Sequence, residues 1–335
     1  MIASRFRMRR LLHGLLVAAV AGVCVVVAAG FLGQFGAALD SFSHFRLHVG
    51  VAALALAIIC MCRRHWWLGG AGTAASVAAL VSALPYLLAT VSPPAAGAPS
   101  YSLLQMNLLF RAEDPQAALR TIADTLPDVV TVQEMTQDWR QLLRPLDAAY
   151  PHQLHCNGAD GFVGDSAILS RRPFVEGAEI VCDRRNSLAA ARIDFNGVAV
   201  TIASHHQLWP WPAGQWQRLD RLRETLEALP APLVLAGDFN AVPWSAFVRA
   251  YEAILDAEAV RGIRGSWVPD LVPFDWARII GLPIDNVLVS DTISVISVRT
   301  LAATASDHLP VLVTFTVEPG GPSEPPVQIV ERRAP

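Results

Sequence analysis

The chain has 335 residues, of which 53% are hydrophobic and 16% charged, and its formal net charge is −3. Both fractions depart from those of ordinary soluble domains in the direction of a membrane protein. Residues 1–99 hold seven Arg and one acidic residue, whereas residues 100–335 hold 19 Arg, no Lys and 28 acidic residues, a net charge of −9. This second part lacks the basic balance typical of proteins that bind polyanions, so nucleic acid is an unfavoured partner.

Three apolar runs in residues 1–91 predict a transmembrane region, with helices at residues 11–32, 47–62 and 66–91. The first run has 22 residues, above the ~20 that a spanning helix needs. A signal peptide is the alternative because arginines precede the run, but the run is longer than the about 7–15 residues of a signal core. The second run is short, and it spans if Arg46 extends toward the membrane surface.

The positions of the arginines predict how these helices are oriented. Four arginines precede the first run, and Arg63 and Arg64 follow the second, so both positions are expected in the cytoplasm. Three spans then make the chain a multi-pass cell-membrane protein with its later part outside the cytoplasm. If the second run does not span, that part faces inward. Outside the cytoplasm Cys156 and Cys182 could pair, and two unpaired thiols remain the open alternative.

The part that follows the membrane region is expected to form one soluble domain over residues 100–318. A linker precedes it at residues 92–99, and a Pro-rich tail at residues 319–335 is expected to be disordered. The hydrophobic patterns predict helices at 115–125 and 215–229 and strands at 101–107, 128–133, 166–170, 180–182, 190–195, 198–204, 232–236, 284–290, 296–301 and 310–317. Many strands with few helices predict an α+β fold with two packed sheets.

Polar residues recur where the predicted strands begin or end. They are Asn107, Glu134, Asp238, Asn240, Asp285, Asp307 and His308. Side chains at the rim of a sheet are well placed to build a site. Several carboxylates and amides without a Cys or His cluster suit a hard cation such as Mg²⁺ or Mn²⁺ better than zinc. Singly, each such residue is more often a turn former or a helix cap.

In combination, these elements resemble the endonuclease/exonuclease/phosphatase superfamily. The resemblance covers residues 100–316 and rests on Gln133-Glu134, Ile168 to Pro173 (ILSRRP), Gly237 to Asn240 (GDFN) and Ser306 to Pro310 (SDHLP). With membrane helices in front, the chain is similar to the branch that contains the VanJ-type glycopeptide-resistance proteins and the YafD-type proteins. The resemblance implies a four-layer α/β sandwich with two central mixed β-sheets.

The resemblance also implies a role for each site residue. Glu134, Asn107 and Asp307 would bind the metal, and His308 would be the general base or phosphate-side histidine, oriented by Asp285. Asp238 and Asn240 would position the attacking water and hold phosphate oxygens. His206, chosen over His205 by its spacing to Trp209-Pro210, would stabilise charge on the phosphoryl group. Leu109 stands where relatives often have a second acidic residue, and Asn286 stands where His, Tyr or Arg is common.

Two groups of residues have open interpretations. One of Arg171 and Arg172 would approach a phosphate, or both would lie in a solvated turn. Trp209, Trp211 and Trp216 would form a membrane-facing lip, or they would pack in the core.

The predicted function is metal-dependent hydrolysis of a phosphate or pyrophosphate ester. The expected substrate is a lipid-linked phosphate such as undecaprenyl pyrophosphate, at the outer face of the membrane. A metal-dependent endonuclease or exonuclease is the alternative, followed by a non-catalytic membrane protein that binds a partner.

Overall fold

A computed structural model describes residues 2–91, 97–156, 165–269 and 272–318. The predicted tail and most of the predicted linker lie outside these residues. The N-terminal part consists of α1 (Ile2–Phe31), α2 (Ala37–Ser41), a 3₁₀ turn (Phe42–Phe45), α3 (Arg46–Cys62) and α4 (Trp66–Leu87). Three segments are long and apolar enough to cross a membrane, namely Arg7–Phe31, Ala37–Cys62 and Trp66–Leu87.

The three long helices differ from their predictions mainly at their ends. α4 ends at Leu87 rather than at residue 91. The second segment is longer than its apolar run, because the chain is already helical from Ala37 onward. Arg46 does not extend outward: its side chain is buried, its guanidinium donates to the backbone oxygen of Gly30 at 2.9 Å, and it stacks on the ring of Phe31. Its charge is therefore accommodated by contacts with the neighbouring helices.

Among the described residues from 97 onward there are twelve strands: β1 (Tyr101–Asn107), β2 (Val129–Met135), β3 (His152–Cys156), β4 (Asp165–Ser170), β5 (Val181–Asp183), β6 (Leu188–Asp194), β7 (Ala199–His206), β8 (Leu233–Asp238), β9 (Ala257–Ala259), β10 (Asp285–Ser290), β11 (Ile293–Thr300) and β12 (Val311–Val317). Sheet A has the order β11-β12-β1-β2-β4-β3, and sheet B has the order β5-β6-β7-β8-β10-β9. Both sheets are mixed, because β1 and β2 pair in parallel, as do β7 and β8, among antiparallel neighbours.

The two sheets pack face to face and carry helices on their outer faces. The core between them includes Leu103, Ile202 and Val234. The outer helices are α5 (Pro115–Thr125) and α6 (Gln137–Leu143) on sheet A and α7 (Gln215–Glu227) and α8 (Ala246–Leu255) on sheet B. A last short helix, α9, spans Ala277–Ile280. The predicted α+β fold with two central mixed sheets is confirmed.

Several short elements are not apparent in the sequence. Strand β3 is missed because its side chains are half-buried and mostly polar, as suits the edge of sheet A. Helices α6 and α8 are short. Each begins at a side-chain N-cap, Thr136 for α6 and Ser245 for α8, and neither has a long run of hydrophobic residues at helical spacing.

A disulfide joins the two sheets at their edges. Cys156 ends β3 in sheet A and Cys182 lies in β5 of sheet B, with 5.4 Å between their Cα atoms. The pairing that the sequence left open is therefore present. It depends on β3 and β5 occupying adjacent edges, which spacing along the chain does not reveal.

The N-terminal apolar helices contact the two-sheet domain directly. Asp40 accepts hydrogen bonds from the backbone nitrogens of Ala246 and Phe247 at 2.8 and 3.0 Å, in the first turn of α8. The indole nitrogen of Trp244 donates to the backbone oxygen of Ser43 at 2.8 Å. At the end of α4, the backbone oxygen of Tyr86 accepts from the backbone nitrogen of Gly262. These contacts hold the domain against one end of the helix group.

Candidate active site

The strand ends that carry polar residues meet at one side of the sandwich. In sheet B, Asp238 pairs with His206 on one side and with Asp285 on the other. In sheet A, Asn107 pairs with Gln133, next to Glu134. Because the sheets pack face to face, these two rows of side chains face one another. Of these residues, Glu134, His206 and Asp238 line a pocket of about 240 Å³, together with Asp307, Asn240 and His308.

Glu134 reaches this pocket because strand β2 is irregular at that point. The pairing of β2 with β4 shifts register between Val132 and Met135, and Glu134 has a φ of 57°. Such a bulge redirects a side chain that regular alternation would point elsewhere. A positive φ is costly for a residue such as Glu, and strain of this kind is concentrated at functional sites.

Asn107 links the acidic residues of the two sheets. Its amide nitrogen donates to Glu134 Oε1 at 3.0 Å and to Asp238 Oδ2 at 3.1 Å. Its amide oxygen accepts from the backbone nitrogen of Leu109 at 3.0 Å. The predicted role of Asn107 as a metal ligand needs that oxygen, which Leu109 occupies in this arrangement.

His308 lies between two buried carboxylates. Its Nδ1 is 2.8 Å from Asp285 Oδ2, and its Nε2 is 3.5 Å from Asp238 Oδ2. Burial alone lowers the pKa of His308, but the charges of Asp285 and Asp238 outweigh burial and raise it well above the usual value. Burial raises the pKa of Asp238, against the opposing charge of His308. A proton can therefore be held between these groups and moved within the site.

The two consecutive histidines lie on opposite faces of sheet B. His206 lines the pocket, and its Nε2 lies 3.6 Å from Asp238 Oδ2. Burial, with the charge of His308, lowers the pKa of His206 to about 3, so this histidine is neutral at pH 7. His205 is buried on the other face, where Nδ1 donates to the backbone oxygen of Ser187 and Nε2 accepts from the hydroxyl of Tyr251. The alternation along β7 thus directs His206 into the site and His205 into the core.

The oxygen atoms in the pocket fit a divalent cation. Asp307 Oδ1 and Asn240 Oδ1 are buried and have no hydrogen-bond partner within the described ranges, a costly state that an ion relieves. Asp238, Asp285 and His308 also place ligand atoms within 4.8 Å of one another. Asp285 is bonded to His308 and does not line the pocket, whereas Glu134 and Asp307 do, so these two residues would hold the ion. The ion would neutralise charge on a phosphoryl group.

Four residues that sequence reasoning missed support this site. Gln105 donates to Asp285 Oδ1 at 2.6 Å and so fixes the carboxylate behind His308. The hydroxyl of Ser306 accepts from the backbone nitrogen of His308 and donates to the backbone oxygen of Asn107. Trp267 donates to Asp307 Oδ2 at 3.2 Å, and Arg218 lines the pocket and donates to the backbone oxygen of His206. Ser306 alone lay within a recognised motif, and the others come from distant segments.

The two departures from the family pattern have local explanations. The backbone oxygen of Leu109 accepts from the indole nitrogen of Trp139, so this position is held by packing rather than by a metal. Asn286 is buried and donates to the backbone oxygens of Ala241 and Ile284, which supports the loop after Asp238. Neither residue supplies a polar side-chain atom to the pocket among the residues that the structure describes there.

Arg171 and Arg172 lie at the opposite end of β4 from the site. Arg172 forms an ion pair with Asp128 at 2.9 Å and stacks on Tyr101. Arg171 donates to the backbone oxygen of Leu126. Both arginines therefore stabilise a turn, and neither approaches the pocket.

The tryptophans divide between the two interpretations. Trp216 packs against Phe247 in the core beside sheet B. Trp209 and Trp211 are 51% and 62% exposed, and the ring centroids of Trp209 and Trp267 lie 5.2 Å apart. Two of the three therefore lie on the surface next to the pocket.

Comparison with known proteins identifies the family. The model of the Endonuclease/Exonuclease/phosphatase family matches residues 104–308, which is more than half of the chain. The chain belongs to this family. Members of the endonuclease/exonuclease/phosphatase family are metal-dependent phosphoesterases or nucleases, and this protein is therefore a phosphoric ester hydrolase. No curated protein matches the chain.

Solved structures share the fold at low sequence identity. A humanised TDP2 of D. rerio is 20% identical, with a TM-score of 0.51 over 65% of this chain and 99% of that one. An endonuclease/exonuclease/phosphatase from Beutenbergia cavernae is 20% identical, with a TM-score of 0.51 over 65% of this chain and 72% of that one. Another, from Bacteroides vulgatus, is 18% identical, with a TM-score of 0.50 over 66% of this chain and all of that one.

Proposed function

We propose that this protein hydrolyses a phosphate or pyrophosphate ester of a membrane lipid carrier, such as undecaprenyl pyrophosphate. The observation that carries the proposal is the contact between the catalytic pocket and the membrane helices. His44, in the 3₁₀ turn Phe42–Phe45 near the start of the second apolar segment, donates from Nε2 to the backbone oxygen of Asn240 at 3.2 Å. Asn240 lines the pocket. A site held this close to a membrane meets phosphate groups at the lipid surface.

The residues of the pocket have the chemistry for this reaction. Water attacks the terminal phosphorus, and the bond from that phosphorus to the bridging oxygen breaks. The products are inorganic phosphate and the lipid monophosphate. Asp238 and Asn240 position the water and a phosphate oxygen, and His308 exchanges the proton. Asp285 keeps His308 in the tautomer that holds its proton on Nδ1. Glu134 and Asp307 would hold a divalent cation such as Mg²⁺ or Mn²⁺, which would supply neutralisation of phosphoryl charge.

The active site acts at the outer face of the membrane in this proposal. The disulfide between Cys156 and Cys182 supports that location, because disulfides persist in oxidising compartments. The four arginines that precede the first apolar run, within the start of α1, and the two that follow α3 support it as well. A reporter enzyme that is active only outside the cytoplasm, fused after Val317, should be active. If the fusion is active only with a reporter enzyme that requires the cytoplasm, this topology is wrong.

We also propose that the chain belongs to the membrane-anchored branch that contains the VanJ-type and YafD-type proteins, because apolar helices long enough to span a membrane precede its domain. A nuclease is the competing function, because a structure of D. rerio TDP2 with a single-strand DNA product has the same fold, with a TM-score of 0.52 at 18% identity. The net charge of −9 over residues 100–335 opposes it, since DNA binding draws most of its affinity from neutralised phosphates.

The decisive experiment compares two substrates with one preparation. The full chain is purified in lipid nanodiscs with Mg²⁺ or Mn²⁺ and given a long-chain polyprenyl pyrophosphate or single-stranded DNA. We expect phosphate release from the lipid, abolished by His308→Ala, and no cleavage of the DNA. Cleavage of the DNA without phosphate release from the lipid overturns the proposal in favour of a nuclease.

A further inference from the structure

We propose that an apolar groove beside the catalytic pocket binds the hydrocarbon chain of the lipid phosphate substrate. The inference rests on the proposed function and adds a second binding site to it. The groove has a volume of about 340 Å³ and an almost wholly apolar surface. Its walls include Phe45, Trp209, Trp211, Pro212 and Trp267.

The groove exposes large aromatic surfaces that a bound ligand would shield from water. Phe45 and Trp209 are each 51% exposed, and Trp211 is 62% exposed. Clustered apolar surface of this kind marks a binding site rather than ordinary protein surface. Tryptophan rings are also the side chains that lie at the boundary between lipid and water. A hydrocarbon chain would cover these rings without leaving a buried polar group unpaired.

The groove and the catalytic pocket are adjacent and share two residues. Trp209 and Asn240 line both of them. The pocket is lined by carboxylates and histidines, whereas the groove is lined mainly by aromatic and aliphatic side chains. A molecule that fills both must therefore carry a phosphate at one end and an apolar chain directly attached to it. That is the chemistry of a lipid phosphate, and neither a nucleotide nor a peptide has it.

The groove is built partly from the membrane region itself. Ser41, His44 and Phe45 form one wall, and they lie between α1 and α3, where the chain turns back into the helix group. This wall is fixed to the catalytic domain by the hydrogen bond from Trp244 to the backbone oxygen of Ser43. A chain that lies in the groove can therefore continue along the helices into the bilayer. The long remainder of a polyprenyl tail stays in lipid.

A first experiment separates chain binding from chemistry. Ala213 is an exposed residue of the groove wall, and Ala213→Trp should fill the groove without disturbing the core. Ala302→Trp is the matched control, since Ala302 is also exposed and lines neither the groove nor the pocket. The full chain in nanodiscs is assayed on a long-chain and a short-chain prenyl pyrophosphate.

We expect Ala213→Trp to lower kcat/KM for the long-chain substrate by about tenfold or more. The short-chain substrate should change by no more than about twofold, and the control should change neither value. Equal losses on both substrates, or no loss on either, overturn the proposal. These outcomes are separate from failure of the proposed function, in which the unaltered protein releases no phosphate from either substrate.

A second experiment does not depend on turnover. A long-chain lipid monophosphate with a photoreactive group in its chain is incorporated into the nanodiscs, and labelled peptides are identified by mass spectrometry. We expect labels on Phe45 and Trp211 that disappear in Ala213→Trp but persist in Ala302→Trp. Labels confined to the lipid-facing sides of the membrane helices overturn the proposal. So does labelling of the groove that Ala213→Trp leaves unchanged.

Discussion

At the scale of single residues, the site depends on one buried proton network. Asp285 accepts from Gln105 on one oxygen and contacts His308 Nδ1 on the other, so its carboxylate is fully engaged. Its function is to orient His308 and to stabilise the protonated form of that ring. The two sheets each supply part of this network, because Gln105 lies in β1 and Asp285 in β10.

Asp285→Asn should therefore lower kcat strongly while leaving the fold intact. The amide retains the shape of the carboxylate, but it loses the charge that holds the proton on His308. We expect kcat to fall by about a hundredfold or more, the scale of a lost general acid or base. Steady-state phosphate release measures this, and circular dichroism checks the fold. Asp291→Asn, at an exposed turn, is the control. An Asp285→Asn variant with nearly normal kcat would contradict the role of Asp285.

Glu134 should control metal affinity rather than folding. Its backbone is held in a strained conformation by the bulge in β2, and its carboxylate accepts from Asn107 and from the backbone nitrogen of Phe110. Glu134→Gln keeps the length of the side chain, but it replaces one accepting oxygen by an NH2 group and removes the negative charge that a hard cation requires. We expect the Mn²⁺ concentration for half-maximal activity to rise about tenfold or more, on the scale of losses at metal sites.

This shift is measured by titrating activity with Mn²⁺ and by calorimetric binding of Mn²⁺. Glu176→Gln, at an exposed position, is the control. Unchanged Mn²⁺ affinity in Glu134→Gln would rule out Glu134 as a ligand.

At the scale of elements, α8 has a cap that comes from the N-terminal helical region. Ser245 accepts from the backbone nitrogen of Val248, and Asp40 accepts from those of Ala246 and Phe247. These are helix N-terminal donors that the helix itself cannot satisfy. A carboxylate there also interacts favourably with the helix dipole. Asp40 thus connects the short helix α2 to an element of the catalytic domain.

Asp40→Ala should destabilise the protein through α8. The change leaves two buried backbone donors without partners, each at a cost of about 1–3 kcal/mol. Hydrogen exchange measured on the full chain in nanodiscs should show faster exchange in the first turn of α8. Asp138→Ala, in the exposed first turn of α6, is the control, and it should leave exchange in α8 unchanged. Unchanged protection of Ala246 and Phe247 in Asp40→Ala would contradict the capping role.

At the scale of the whole molecule, the disulfide ties the edges of the two sheets across a separation of 26 residues. Closing a loop of this length stabilises the folded state by about 3–4 kcal/mol in the chain-entropy account. Replacing both Cys156 and Cys182 by Ser should therefore lower the Tm. A thiol reductant should lower the Tm of the unaltered protein to the same value and leave that of the double variant unchanged. A reductant-insensitive Tm in the unaltered protein would contradict this prediction.

Much of the site could be predicted because its residues are tied to local patterns. Apolar strands can be predicted from the hydrophobic pattern of the sequence. Four site residues stand at the end or the beginning of such a strand, namely Asn107, Glu134, Asp238 and Asp285. Gln105, Trp267 and Arg218 could not be found in this way. Each contacts the site through a partner more than ten residues away along the chain, and no local pattern marks such a contact.

The sequence by itself determined the long apolar helices, the two-sheet α+β fold, the family and the carboxylates and histidines of the pocket, because hydrophobic period and strand-end chemistry are local properties. Only the tertiary structure decided that Cys156 pairs with Cys182 and that Trp209 and Trp211 are exposed. It also decided that Asp40 and His44 contact the catalytic domain. These features depend on which surfaces meet when the sheets and helices pack, and that is set by the sum of many distant contacts.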